Sequence, residues 1–221
     1  MNPTEFQQWL NAHGASILAD GKPGAITRAA TRAVFTNPNA PAVTDSEIAA
    51  IALRLGCTPK QVRAVAKVES GGAAFDKQGR PKILFERHLF HRLTDGKFSV
   101  SAFSNSDGGG YSEDSWEKLT QAACKDVDAA FAAASWGRFQ VLGLHWKTLG
   151  YPSPIDMAYT AVTSEAGHYT MLARYVEANG MKPAIEALST DPETCRKFAA
   201  GYNGPAYRQF NYHVKLAEAM K

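Results

Sequence analysis

The chain has 221 residues, 45% apolar and 20% charged, with a formal net charge of +3. That length supports one sizeable domain, or a domain with a small appendage, and the composition excludes global disorder. A basic excess this small suits an anionic partner without choosing one. No run of about 18 apolar residues occurs, so stable insertion into a membrane is not expected. The opening stretch MNPTEFQQWLNAHG carries neither a basic leader nor an apolar run, so no classical export signal is expected. The three cysteines, Cys57, Cys124 and Cys195, are odd in number and far apart. They fit neither a zinc ribbon nor a disulfide framework and read as free thiols of a protein made in the cytosol.

Taken in order, residues 1–40 form a distinct stretch. Phe6, Trp9, Leu10 and His13 recur at helical spacing. The turn Asp20-Gly21-Lys22-Pro23-Gly24 follows, then a second helix over about 27–35. Asn37-Pro38-Asn39-Ala40-Pro41 reads as a linker. Thr44 with Glu47 is a capping-box pair, Ile48, Ile51, Ala52 and Leu55 give one apolar face, and Gly56 is placed to end that helix. Thr58 with Gln61, and Pro59 at the first helical position, start another helix that runs to the glycines at 71–72. Residues 73–113 are irregular, with room for a small hairpin or irregular lobe. Helices are expected at 115–133, 138–148, 154–179, 183–189, 191–200 and 205–220. Ser153 and the Thr190–Glu193 stretch are good helix starts.

Three places concentrate chemistry. Glu69 follows Val62, Val65 and Ala66 by seven, four and three residues, which sets it on the apolar face of its helix, in the last turn. Burial and the negative end of the helix dipole both disfavour the carboxylate and raise its pKa. A carboxyl held protonated near neutrality is what a general acid needs. The bland alternative is a helix-terminal glutamate that reaches water. Ser135, Trp136, Gly137 and Gln140 form a turn expected to lead into a helix; Ser135 and Gln140 suit ligand hydroxyl or amide groups, and Trp136 suits stacking. The bland alternative there is a helix start with core aromatics. Tyr202 and Asn203 close a later helix, where a turn-forming Asn beside a packing Tyr is the plain reading.

The stretches VES-GG, SWGRFQV and AAGYNGP, in this order, resemble the three signatures of the lysozyme-like superfamily shared by goose-type lysozymes and soluble lytic transglycosylases. KILFERHLFHRLT and the spacing of AASWGRFQVLG resemble, more narrowly, the phage endolysin N-acetylmuramidases, over residues 44–221. Residues 1–40 are similar to part of a small peptidoglycan-binding repeat, or are a helical hairpin packed on the main domain. The resemblance implies a mainly α fold: a lysozyme-like catalytic domain over 41–221 with a small β-hairpin or irregular lobe, and a small N-terminal helical region over 1–40. It puts Glu69 in the place of the catalytic glutamate, Ser135, Gly137 and Gln140 in the S-x-G-x-x-Q turn, and Tyr202 and Asn203 in the Tyr-Asn turn. Trp136 would stack on a sugar. Arg138-Phe139 departs from the Leu-Met usual in transglycosylases.

The activity implied is hydrolysis of the β-1,4 bond between N-acetylmuramic acid and N-acetylglucosamine. The alternatives are a lytic transglycosylase leaving 1,6-anhydro-muramic ends and a non-catalytic wall-binding protein. Such glycosidases normally use a second carboxyl group. The candidates are Asp76, Glu86, Asp107, Glu113 and Asp114, and Glu86, an acid inside the apolar run ILFERH, is preferred. His88 and His91 with Glu86 raise a zinc amidase, but HExxH is lacking. No metal and no organic cofactor are expected. The expected partner is bacterial peptidoglycan, with no nucleic acid, and the chain is expected to be a monomer. It would be made in the host cytoplasm and reach the wall after the inner membrane is permeabilised.

Overall fold

A computed structural model describes residues 1–69, 73–99 and 114–221. Residues 70–72, at the end of the first signature, and the candidates Asp107 and Glu113 lie outside the described residues.

The cap signals decide many boundaries. Asn2 and Glu5 close a capping box on α1 (Pro3–Ala12), which is followed by α2 (Ala25–Val34). Thr44 and Glu47 cap α3 (Asp45–Leu55), and Gly56 ends it in the left-handed conformation at φ +73°. The Thr58 hydroxyl accepts from the Gln61 N–H, and the Gln61 side chain accepts from the Thr58 N–H, at the start of α4 (Pro59–Glu69). Then come β1 (Ile83–Phe85), α5 (Arg87–Leu93), α6 (Ser115–Ala123) and α7 (Val127–Ala132). The strands β2 (Ala134–Trp136) and β3 (Val141–Leu142) lead to α8 (Pro154–Thr163), α9 (Glu165–Ala178) and α10 (Lys182–Glu186). α11 (Pro192–Asn203) and α12 (Tyr212–Ala219) end the chain. The three strands form one antiparallel sheet in the order β1-β2-β3, with Leu84 opposite Ser135 and Ser135 opposite Leu142. The described fold is mainly α, with this small sheet as its β part.

Four expected helices are corrected. The helix over 205–220 breaks at Asn211, left-handed at φ +53°, into a 3₁₀ turn (Pro205–Arg208) and α12. The helix over 115–133 breaks at Asp126, whose side chain accepts from the Ala129 N–H and starts α7 afresh. The helix over 154–179 breaks at Ser164, extended at φ −166°, which caps α9 through the Gly167 N–H. The helix over 138–148 is absent. Its first residues turn a β-hairpin, with Gly137 at φ +68° and Gln140 at φ +49°, two left-handed positions that no α-helix tolerates.

The helices of residues 1–40 share one apolar core with the rest of the chain, through Phe6, Leu10, Val34 and Phe35. Phe35 is fully buried, with ring centroids 5.3 Å from Phe131, 5.6 Å from Trp116 and 5.9 Å from Trp136. Asn37 donates through its side-chain amide to the Val162 carbonyl and through its backbone N–H to the Gly79 carbonyl. Phe35→Ala should therefore cost about 3–5 kcal/mol and shift the whole unfolding transition. Urea denaturation followed by circular dichroism measures this; a midpoint like that of the wild type would show that the N-terminal helices only decorate the fold.

Candidate active site

Glu69 is the last residue of α4. Val62, Val65 and Ala66 on the same face are buried, and the carboxyl sits with them, half-buried. The Asn203 side-chain amide, from the last turn of α11, donates to Glu69 Oε1 at 2.9 Å. α12 packs along both α11 and α4 and closes the group of elements around the carboxyl. Burial pushes the Glu69 pKa up to about 7, against the opposing pull of the Asn203 hydrogen bond and the Lys215 charge. Desolvation is thus the first cause, as its apolar face suggests. Burial, then the Glu69 charge, lifts the Tyr202 phenol well above its usual range. The same two causes raise Tyr212.

The hairpin between β2 and β3 is built on close backbone approach. The Gly137 N–H donates to the Lys82 carbonyl at 2.7 Å. A Cβ on Gly137 would lie 2.1 Å from His168 Nδ1. The next N–H, of Arg138, donates to that same nitrogen at 2.7 Å, while His168 Nε2 faces the Ala161 carbonyl at 2.8 Å. One ring nitrogen accepts and the other donates, so His168 is neutral. Its burial holds its pKa down to about 4. The Arg138 guanidinium pairs with Glu165. The Tyr202 hydroxyl donates to the Phe139 carbonyl at 2.8 Å, tying the hairpin to the end of α11.

The sequence candidates therefore divide. Glu69, Asn203 and Tyr202 come together directly, and Gly137 and Gln140 belong to the hairpin that Tyr202 grips. Gln140 is exposed, but its amide nitrogen is engaged by the Gly137 carbonyl at 2.7 Å and the Lys82 carbonyl at 3.3 Å, which staples the turn. Ser135 is half-buried on the central strand. Trp136 must be reassigned. It is 1% exposed, stacked 5.5 Å from Phe131, with its indole N–H on the Phe131 carbonyl. Such a ring has no face left for a sugar; it is core.

Glu86 starts α5, its N–H on the Ala133 carbonyl and its carboxylate 3.5 Å from His88 Nδ1. The groups acting on Glu69 come instead from α11 and α12. Asp76 is engaged by Arg80, and Asp114 caps α6, so both serve the fold. Among the described residues no group of three or more His, Cys, Asp or Glu is placed to hold a metal ion. No described helix is long and apolar enough to cross a membrane. Sequence reasoning missed Tyr212, Lys215 and His168. The first two reach Glu69 only because α12 folds back onto α4, and nothing local marks them.

Residues 58–221 match the N-acetylmuramidase family. Among solved structures, the chain is similar to the endolysin of Burkholderia phage AP3, with 33% identity and a TM-score of 0.72. That match covers 99% of this chain and 92% of that one. No curated protein matches. Fold and family together define a lysozyme-like glycoside hydrolase that acts on peptidoglycan. The chain belongs to the N-acetylmuramidase family.

The two shifted groups act on stability with opposite signs. Glu69 titrates from 4.5 unfolded to about 7 folded, so the fold holds the extra proton and stability falls as pH rises through that window. His168 moves from 6.5 down to about 4, so the unfolded chain holds the extra proton and stability falls as pH drops from 6.5. At about 1.4 kcal/mol per pH unit, each is worth at most about 3 kcal/mol. Glu69→Gln, which keeps the Asn203 bond but cannot ionise, should be more stable than wild type by about 2–3 kcal/mol at pH 8, with no advantage at pH 4. Equal urea midpoints at pH 8 would contradict a Glu69 whose pKa burial has raised.

Proposed function

We propose that Glu69 is the general acid that hydrolyses the β-1,4 bond between N-acetylmuramic acid and N-acetylglucosamine. The observation that supports this most directly is a half-buried carboxyl, held neutral up to about pH 7, with one oxygen fixed by Asn203. Because the Asn203 amide donates to Oε1, the carboxylic proton sits on Oε2, free to reach a substrate oxygen. Glu69 gives that proton to the bridging oxygen as the C1–O bond breaks, and positive charge grows at the muramic-acid C1. Water then adds at C1, leaving an ordinary reducing end and returning a proton to Glu69. Asn203 and Lys215 both favour the ionised carboxyl and so stabilise it after transfer.

The hairpin, with Ser135, Gly137 and Gln140, is read as one wall of the strand's groove, aligned through Tyr202. Glu86 is carried as the second carboxylate. It stands just after β1, the strand paired with the one that carries Ser135, at the start of α5. The N-terminal region is read as a wall contact, since Leu18 and Ile26 are 79% and 73% exposed beside a groove of about 370 Å³. By analogy with the AP3 phage protein, the chain acts in phage lysis: a monomer made in the cytoplasm that reaches peptidoglycan once the inner membrane is breached, without binding nucleic acid.

Activity on purified sacculi should fall as pH rises above about 7, where Glu69 loses its proton. Glu69→Gln should lower release of soluble muropeptides by about 10²–10⁴-fold at pH 6. Release near the wild-type rate would end the assignment. Mass spectrometry of the products should find ordinary reducing ends; 1,6-anhydro ends would mean transglycosylation.

A further inference from the structure

The chain between the last 3₁₀ turn (Pro205–Arg208) and α12 lies outside the three sequence signatures. Phe210 is 58% exposed. Its ring centroid lies 6.1 Å from that of Tyr212, tilted at 55°. Asn211, between them, adopts φ +53°, a left-handed conformation that asparagine enters more readily than most residues other than glycine. That bend sets two rings only two residues apart side by side. Lys215 lies one helical turn beyond Tyr212 on the same face and holds its ammonium 5.2 Å over the Tyr212 ring.

The position of this surface is fixed by packing. α12 lies against α4, and Tyr212 and Lys215 are both close enough to Glu69 for charge to act between them. If Glu69 protonates the muramoyl bond, the sugar whose C1 reacts must lie beside it. That sugar carries the peptide stem, the acidic part of the strand. An aromatic pair suits the apolar C–H face of a pyranose, and a cation beside it suits a carboxylate.

We propose that Phe210, Tyr212 and Lys215 form a subsite for the N-acetylmuramoyl residue next to the scissile bond, the rings facing the sugar and the ammonium pairing with a carboxylate of its peptide stem. This rests on the reading of Glu69 as the acid. The site discriminates peptide-bearing glycan from uncharged glycan, and it does so through binding rather than proton transfer.

The test compares soluble peptidoglycan strands with native stems against the same strands whose carboxylates are coupled to ethanolamine. For wild type, amidation should raise KM several-fold. For Lys215→Met, KM on native strands should rise by a similar factor, and amidation should add nothing further. Phe210→Ala should raise KM on both substrates, and Phe210→Trp should restore it. Circular dichroism establishes that each variant is folded; both positions are exposed. The proposal is overturned if amidation weakens Lys215→Met as much as wild type. It is equally overturned if Lys215→Met only moves the alkaline limb of the pH profile upward, or if Phe210→Ala leaves KM unchanged. Glu69→Gln, run in parallel on native strands, separates the two readings. Its turnover would sink the acid assignment, whereas its inactivity beside a Lys215→Met that still discriminates native from amidated strands sinks this subsite alone.

Discussion

Everything at this site turns on keeping a carboxyl group out of water without letting it ionise. Removing an acid from water disfavours its charged form, and here that effect is large enough to carry the Glu69 pKa to about 7. Left alone, desolvation would hold the proton too firmly to be given up. Asn203 and Lys215 oppose it, and the balance leaves a group whose pKa lies near neutrality, at about 7. A general acid works best when its pKa lies near the pH at which it acts, so in the role proposed for Glu69 the opposing pulls matter as much as the burial.

That balance requires three helices from distant parts of the chain to meet at one place. α4 brings Glu69, α11 brings Asn203 and Tyr202, and α12 brings Tyr212 and Lys215. The hairpin joins through the Tyr202 hydroxyl, which donates to the Phe139 carbonyl. The hairpin in turn is held by His168, which must be uncharged for its Nδ1 to accept from Arg138. Two buried titratable groups therefore support the same site in opposite charge conventions. An acid is kept protonated and a base is kept unprotonated, both by desolvation.

What could be read from the sequence follows from how local each signal is. Thr44, Gly56, Ser153 and Asp191 act within one turn of their own residue, and the helix boundaries they imply are those found. The face that buries Glu69 was legible because it needs only the 3.6-residue period of one helix. The hairpin at 134–142 was not, since Phe139, Val141 and Leu142 read equally well as a helix face, and only the left-handed Gly137 and Gln140 decide otherwise. Trp136 illustrates the same limit. An aromatic beside a functional glycine suggests a ligand contact, but β-strand alternation turns this ring into the cluster with Phe35, Trp116 and Phe131. Lys215 was invisible for the opposite reason, because its relation to Glu69 exists only after α12 has packed.

The N-terminal helices bear on how the enzyme meets an insoluble substrate. A wall-binding module on a flexible linker raises the local concentration of a catalytic domain while leaving its orientation free, to a degree set by linker length. That arrangement is not available here. Phe35 lies in the same aromatic cluster as Trp136, one residue from the hairpin glycine, and Asn37 is bonded to both the Gly79 carbonyl and the end of α8. Any contact that residues 1–40 make with the wall is therefore made at a fixed distance and angle from Glu69. Such a contact would select which stretch of strand enters the groove as well as raise its concentration, and it would do so without a linker entropy cost. The groove at Leu18 and Ile26 and the Glu69 carboxyl are in that sense two points on one packed core, held in register by the packing of Phe35.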